Sequence, residues 1–410
     1  MAELLPFHGL LPVPERAAQV AAVPYDVVNT REAAELAKDN PYSFLHVSRP
    51  EIDLERGIDL HDERVYRQAG EAFRRLCREV PLSVDAGKHL YLYQLQMGDQ
   101  IQTGVIGAAS AAEYKAGIIK KHEKTRQDKE DDRTRHVMEL RSHTGPAFFT
   151  YRGKADIDAL IARELEKEPL FNFTAPDGIR HTLWRIDEAT SEKLSELFRT
   201  EVPVFYIADG HHRSAAAART AAECTPKNPN HTGKEDYNYF LTVAFPADQL
   251  KILPYNRVVR TLNGHTPAEF LALLGEKFEV LPASDGEVEK PGEFKFYLAH
   301  MWYLARPKFD VSKLNVIERL DVSILQDNVL APLLGIDDPR TSKEIDFIGG
   351  IRGTKELVKL VDSKQYAIAF SMHATTVDQL MAIADAGEIM PPKSTWFEPK
   401  LRDGLVSHNF

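Results

Sequence analysis

The chain has 410 residues, 43% hydrophobic and 27% charged, an ordinary balance for a globular protein with two or three domains and ample core. A net charge of −10 argues against a general nucleic-acid surface, which needs clustered Lys and Arg, but leaves room for one small basic pocket. Two cysteines, Cys77 and Cys224, lack pairing or metal spacing; no apolar run nears the ~20 residues of a membrane span; and the opening M-A-E-L-L-P-F-H-G-L has no signal-peptide pattern, so a cytoplasmic protein without a membrane partner is expected.

Residues 1–110 read as a first α/β region. Pro6, Pro12 and Pro14 keep the opening extended, and A-V-P-Y-D-V-V at 22–28 is a strand or turn ending near a capping Asn29 or Thr30. A short helix over Arg31–Lys38 stops before Asn40-Pro41, and Y-S-F-L-H-V-S-R-P at 42–50 has strand character. Residues 59–79 have helical spacing with Tyr66, Phe73 and Leu76 toward a core. L-Y-L-Y-Q-L-Q-M at 90–97, Gly98-Asp99 and Q-I-Q-T-G-V-I-G-A-A-S predict a hairpin. Asp26, His46 and Arg49 are second-rank ligand candidates that read equally well as turn and sheet-edge residues.

Residues 111–262 carry most of the chemistry. I-I-K-K-H-E-K-T-R-Q-D-K-E-D-D-R-T-R-H-V-M-E-L-R-S-H at 118–143 reads by composition as a solvated helix laced with i,i+4 ion pairs. It also concentrates His122, Glu123, Arg126, Arg133, His136 and His143, groups suited to phosphate and proton transfer, ahead of a tight Thr144-Gly145-Pro146. In V-P-V-F-Y-I-A-D-G-H-H-R-S-A-A-A-A-R at 202–219 an apolar strand runs into Asp209-Gly210 and then an alanine-rich helix. A helix N-terminus offers unpaired N–H groups, Gly210 permits close backbone approach, and Arg213 can grip phosphate oxygens. Equally, Asp209 could simply cap the helix with His211 and His212 on its solvated side. F-F-T-Y-R, a helical A-D-I-D-A-L-I-A-R-E-L and a strand-like H-T-L-W-R-I lie between the two stretches.

Residues 224–237 read as an exposed loop, Y-F-L-T-V-A-F-P at 239–246 as a buried strand, and I-L-P-Y-N-R-V-V-R at 252–260 as a further strand in which Arg257 and Arg260 could meet an anion. A composition shift near Asn263-Gly264 marks a boundary to a third region, 263–410, where helices at 267–277, 322–329, 354–361 and 376–386 interleave with strands at 278–281, 294–299, 302–305, 346–348 and 367–371. Gly349-Gly350-Ile351-Arg352-Gly353 lacks the Lys-Ser/Thr of a P-loop and reads as a turn. In the tail, Pro392-Lys393-Ser394-Thr395 places an ammonium and two hydroxyls where a phosphate could be met, or is simply a flexible end.

P-F-H-G-L, P-Y-D-V-V, N-P-Y-S-F-L-H-V-S-R-P-E and I-I-K-K-H-E-K-T-R together resemble the DUF1015 family over nearly the full length. D-G-H-H-R resembles the nucleotide-phosphate loop of the ParB/sulfiredoxin-like fold, and in particular that of the ADP-dependent free serine kinases. Sulfiredoxins carry a catalytic Cys where His211 stands, which argues against sulfiredoxin chemistry. The kinases also have a P-H-E-like element, matched here at Glu123 with Lys121 in the proline's place, and a terminal P-K-[S/T]-T, matched at Pro392–Thr395 with Trp396 where they have Arg. In those kinases the first two motifs are close; here 85 residues (124–208) intervene.

The resemblance implies an α/β fold, mixed α+β in detail, with a ParB/sulfiredoxin-like nucleotide-binding core and additional α/β regions. It implies a small-molecule kinase acting on free serine or a related metabolite with ADP or ATP. Glu123, His122 and Asp209 would be catalytic, with Glu123 the base or orienting carboxylate. Gly210, His211, His212, Arg213, Lys393, Ser394 and Thr395 would hold phosphates; Arg126, Arg133 and His136 are candidate substrate contacts. Mg²⁺ is expected through the phosphate oxygens, with no protein cluster for a metal. A ParB-like nucleotide switch or a non-catalytic metabolite sensor are the alternatives.

Overall fold

The computed structural model describes residues 1–79 and 82–410. They form two compact units, Met1–Leu250 with Pro399–Phe410, and Lys251–Glu398. The division lies ahead of Asn263-Gly264, and residues 1–110 and 111–250 contribute strands to one sheet rather than forming separate bodies. Among the described residues no helix is long and apolar enough to cross a membrane.

The first unit is built on an eight-stranded mixed sheet. Its strands in chain order are β1 (Tyr91–Met97), β2 (Gln100–Ser110), β3 (Ile119–Lys120), β4 (Ala147–Tyr151), β5 (Phe171–Thr174), β6 (Arg180–Arg185), β7 (Phe205–Asp209) and β8 (Tyr239–Pro246). They lie in the order β3-β7-β4-β8-β2-β1-β6-β5. β1 and β2 make the expected hairpin, Met97 opposite Gln100, with Gly98 at φ 60° supplying the left-handed turn. β3 and β7 run parallel, Phe205 beside Ile119 and Tyr206 beside Lys120, although 84 residues (121–204) separate the two strands. Their carboxyl ends therefore emerge side by side.

Three helices of this unit matter for the site: α1 (Glu63–Glu79), α2 (Gln127–Leu140) and α3 (His211–Cys224). The inward face of α3 is Ser214, Ala215–Ala218, Thr220 and Ala221, small residues that let it lie close to the sheet and to α2. Arg219 of α3 binds Asp131 of α2 at 2.6 Å, so the charged face of α2 is partly a packing face.

Residues 42–50 are not a strand. Leu45–Ser48 is one helical turn, followed by a 3₁₀ turn over Pro50–Asp53. Asn40 Oδ1 accepts from Tyr42 N–H, and Ser43 Oγ from Leu45 N–H, which favours a turn over the β-prone side chains. Phe44, Leu45 and Val47 are buried with Phe73 of α1, whose ring meets Phe44 edge-on at 6.3 Å. Tertiary burial overrides local propensity here.

The second unit holds a six-stranded antiparallel sheet of β9 (Tyr255–Val259), β10 (Phe278–Ala283), β11 (Phe294–Leu298), β12 (Met301–Pro307), β13 (Ile345–Gly349) and β14 (Ile368–Met372), in the order β10-β12-β11-β14-β9-β13. The helix expected at 322–329 is Asp321–Leu325 and continues as a wider π turn to Leu330.

Phe149 of β4 sits fully buried between Phe205 and Phe240, ring centroids 5.8 and 6.0 Å away. Phe149→Ala is expected to destabilise the first unit by about 3–5 kcal/mol through lost burial and a cavity. A fall in its urea midpoint with an unchanged slope checks this.

Candidate functional site

The register of β7 against β4 shifts between Ile207 and Asp209, and this bulge ends the strand. Gly210 then adopts φ +90°, and a Cβ there would meet Arg213 Nε at 3.0 Å and Ala147 Cα at 3.4 Å, so glycine is required. Helix α3 starts at His211 with no side chain capping it. Asp209 accepts from the Gly210 N–H at 2.7 Å and from Lys400 Nζ at 2.8 Å, with Arg213 at 3.7 Å. Burial works to raise its carboxyl pKa, but Lys400 and Arg213 hold it below the usual range. Asp209 is thus an ionised anchor of the loop rather than a helix cap.

Arg213 points away from solvent: one Nη donates to the Pro146 carbonyl, and Nε is buried without a hydrogen-bond partner. It lines a cavity of about 40 Å³ together with Tyr25, Arg133, His136, Thr144 and Asp403. Arg133 donates to Asp132 at 2.9 Å and lays its guanidinium over the Tyr25 ring at 4.1 Å. His136 donates from Nε2 to the Val47 carbonyl at 2.9 Å, and burial, reinforced by Arg133, lowers its pKa to about 4, leaving it neutral. Asp403 has one carboxyl oxygen without a partner, and burial raises its pKa to about 7 against the pull of Arg213. Two guanidinium groups thus reach this buried space, each with carboxylates near it: Asp132 at Arg133, and Asp209, Asp26 and Asp403 around Arg213.

The carboxyl ends of β3 and β7 carry a second cluster. His122, Glu123 and His211 place one ligand-type atom each within 4.8 Å of one another. The two imidazoles meet at right angles with centroids 4.5 Å apart, and His211 Nδ1 lies 3.7 Å from Glu123 Oε2. Both rings are buried, which lowers their pKa values, His122 to about 4, so both are neutral at pH 7. Nε2 of His211 and at least one nitrogen of His122 make no hydrogen bond, the backbone of Ile207 lying near the His122 ring. Parallel pairing thus brings together three donor-type side chains from two distant stretches.

His212 accepts the Arg126 backbone N–H on Nε2 at 3.1 Å, fixing its tautomer. The Arg126 guanidinium is exposed and paired with Asp128 at 2.8 Å. Among the second-rank residues, His46 is held by Asp53 at 2.9 Å, and Arg49 by Glu51 at 2.9 Å and Thr30 at 3.0 Å, roles that stabilise the 40–53 turn. Asp26 is exposed.

Lys393, Ser394 and Thr395 belong to the second unit. Lys393 is exposed at φ +57°, and its carbonyl accepts from Arg257 at 3.1 Å. Ser394 Oγ donates to the Pro391 carbonyl at 2.6 Å, which commits its proton to a turn. Arg260 pairs with Asp346 at 2.6 Å.

Lys400 and Asp403 escaped sequence reasoning. Lys400 meets Asp209 across 191 residues and Asp403 pairs with Ala22 near the other end of the chain, and no local pattern marks either.

Residues 4–323 match the family described as proteins of unknown function, DUF1015. The chain belongs to the DUF1015 family. That match contains the Glu123 and Asp209–Arg213 segments and ends before Lys393. No protein of curated function matches the sequence. Solved structures with some likeness include a conserved hypothetical protein from Pyrococcus furiosus (13% identity, 73% of this chain and 93% of that one, TM-score 0.36). A free serine kinase variant in complex with AMP is similar at 14% identity over 72% of this chain and 86% of that one, TM-score 0.37. A C-terminally truncated SbnI from Staphylococcus aureus is similar at 11% identity over 73% and 85%, TM-score 0.40.

Asp403 makes stability pH-dependent. Its folded-state pKa is raised, so its contribution is complete below the unfolded value of about 4 and is lost as pH climbs to about 7. Asp403→Asn is expected to flatten the fall in stability between pH 4 and 7 and to stabilise the protein at pH 8, as thermal unfolding at both ends of that range would show.

Proposed function

We propose that this DUF1015 protein is a small-molecule kinase that moves a phosphoryl group from ADP or ATP to the hydroxyl of free L-serine or a related metabolite, giving O-phosphoserine. The observation that carries this is the uncapped N-terminus of α3 at left-handed Gly210, beside a buried Arg213 that shares a cavity with Arg133. The resemblance of D-G-H-H-R to a ParB/sulfiredoxin-like phosphate loop supports the same reading.

In this reading the backbone N–H groups at His211–Arg213 and the Arg213 guanidinium bind the donor's phosphates. Asp209, fixed by Lys400 and the Gly210 N–H, holds the turn open. The acceptor hydroxyl attacks the terminal phosphorus, the bond to the nucleotide's bridging oxygen breaks, and Glu123 receives the hydroxyl proton. Glu123 is partly exposed, so solvent reaches its carboxylate. Arg133 and His136 face the cavity as acceptor contacts. The protein donors beside the loop are mostly nitrogen, which does not suit Mg²⁺; that ion fits here only as part of the nucleotide complex, held by phosphate oxygens.

Phosphorus NMR of the protein with Mg²⁺, serine and either nucleotide is expected to show a new phosphomonoester. Arg213→Ala should reduce its rate of formation by about 10²–10³-fold and Glu123→Gln by about 10²–10⁴-fold. Nucleotide breakdown to inorganic phosphate alone would point to a hydrolytic switch and contradict the transfer reaction.

A further inference from the structure

The kinase reading leaves the buried pair His122 and His211 without a task. A neutral imidazole nitrogen buried without a partner is costly, and His122 and His211 each carry one such atom. Both rings converge on the carboxylate of Glu123, which is 40% exposed and so gives the cluster an opening to solvent. The three donors come from the ends of two paired parallel strands, a rigid base that fixes their separation.

We propose that His122, Glu123 and His211 form a binding site for one divalent transition metal ion of the zinc or iron(II) class. Two imidazoles and a carboxylate suit such an ion and not Mg²⁺ or Ca²⁺, which take oxygen ligands. Donors about 2.1 Å from a common ion lie roughly 3.0–3.4 Å apart, so the present spread of up to 4.8 Å closes with side-chain movements of about 1 Å. Three protein ligands leave coordination positions open for water or for an oxygen of a ligand seated at the neighbouring loop. The site goes beyond the kinase reading and stands without it. Where both hold, Glu123 is a ligand in the ion-bound state and a proton acceptor only in the ion-free state.

The test uses the full chain, stripped with a chelator, dialysed and titrated with Co²⁺ without nucleotide. Saturable visible d–d absorption at one equivalent is expected, displaced by Zn²⁺ and not by millimolar Mg²⁺. His122→Ala, His211→Ala and Glu123→Gln should each weaken binding at least tenfold, while His46→Ala, at a histidine held by Asp53, leaves it unchanged. Glu123→Gln is isosteric and half-exposed and should keep the fold, which a cooperative melt verifies, so its result stands even where a buried-histidine variant fails to fold. No stoichiometric absorption, or full retention of Co²⁺ by Glu123→Gln, overturns the assignment. Neither outcome depends on phosphoserine being formed, so the metal site and the kinase reading can fail separately.

Discussion

The short parallel pairing of Ile119–Lys120 with Phe205–Tyr206 is the constraint on which the candidate site depends. Parallel neighbours end at the same edge of a sheet, and ligand sites in α/β proteins gather at that edge. Three residues beyond one strand stands Glu123; two beyond the other stands His211. Two strand residues on each side thus bring together groups 88 positions apart (123 to 211). The bulge at the end of β7 and the left-handed Gly210 then turn the chain directly into α3, and the small residues of that helix let it lie close to α2, whose Arg133 reaches the same cavity as Arg213.

Charge at the site is held in close opposition. The chain carries −10, yet two guanidinium groups are buried beside the loop, and the acidic groups near them differ in state. Asp209 stays ionised because Lys400 and Arg213 face it, while Asp403, deeper and with an unpartnered oxygen, holds its proton up to about pH 7. Two carboxylates that face the same arginine are driven apart by burial and partners, not by residue type. The histidines around them are kept neutral by burial, so they act as hydrogen-bonding or ligating groups rather than as charges.

Local pattern was enough for elements whose residues agree with their surroundings. The β1–β2 hairpin follows from alternating apolar residues around Gly98-Asp99, the helix over Thr30–Ala37 from its Asn29 capping box, and the strand-turn-helix at 205–224 from an apolar run, Asp-Gly and an alanine series. Residues 42–50 misled because Phe44, Leu45 and Val47 favour strand in isolation, whereas Asn40 and Ser43 impose a turn that buries them against α1. At the site, D-G-H-H-R was legible as chemistry. The joining of His122 and Glu123 to His211, and the arrival of Lys400 and Asp403, were not, because each depends on chain topology over 80 residues or more. The unit boundary was equally hidden: residues 399–410 complete the first unit through the strand Ser407–Asn409, which pairs with Gly9–Leu11 and Ser142–His143.

The proposed function rests on recognition of phosphate by the Gly210 turn and Arg213. Isothermal titration of the wild-type protein with ADP and with adenosine tests it most directly. ADP should bind at least tenfold more tightly than adenosine, with the difference weakening as salt is raised and largely lost in Arg213→Ala. Equal affinity for the two ligands, or an ADP preference that survives Arg213→Ala intact, would contradict it.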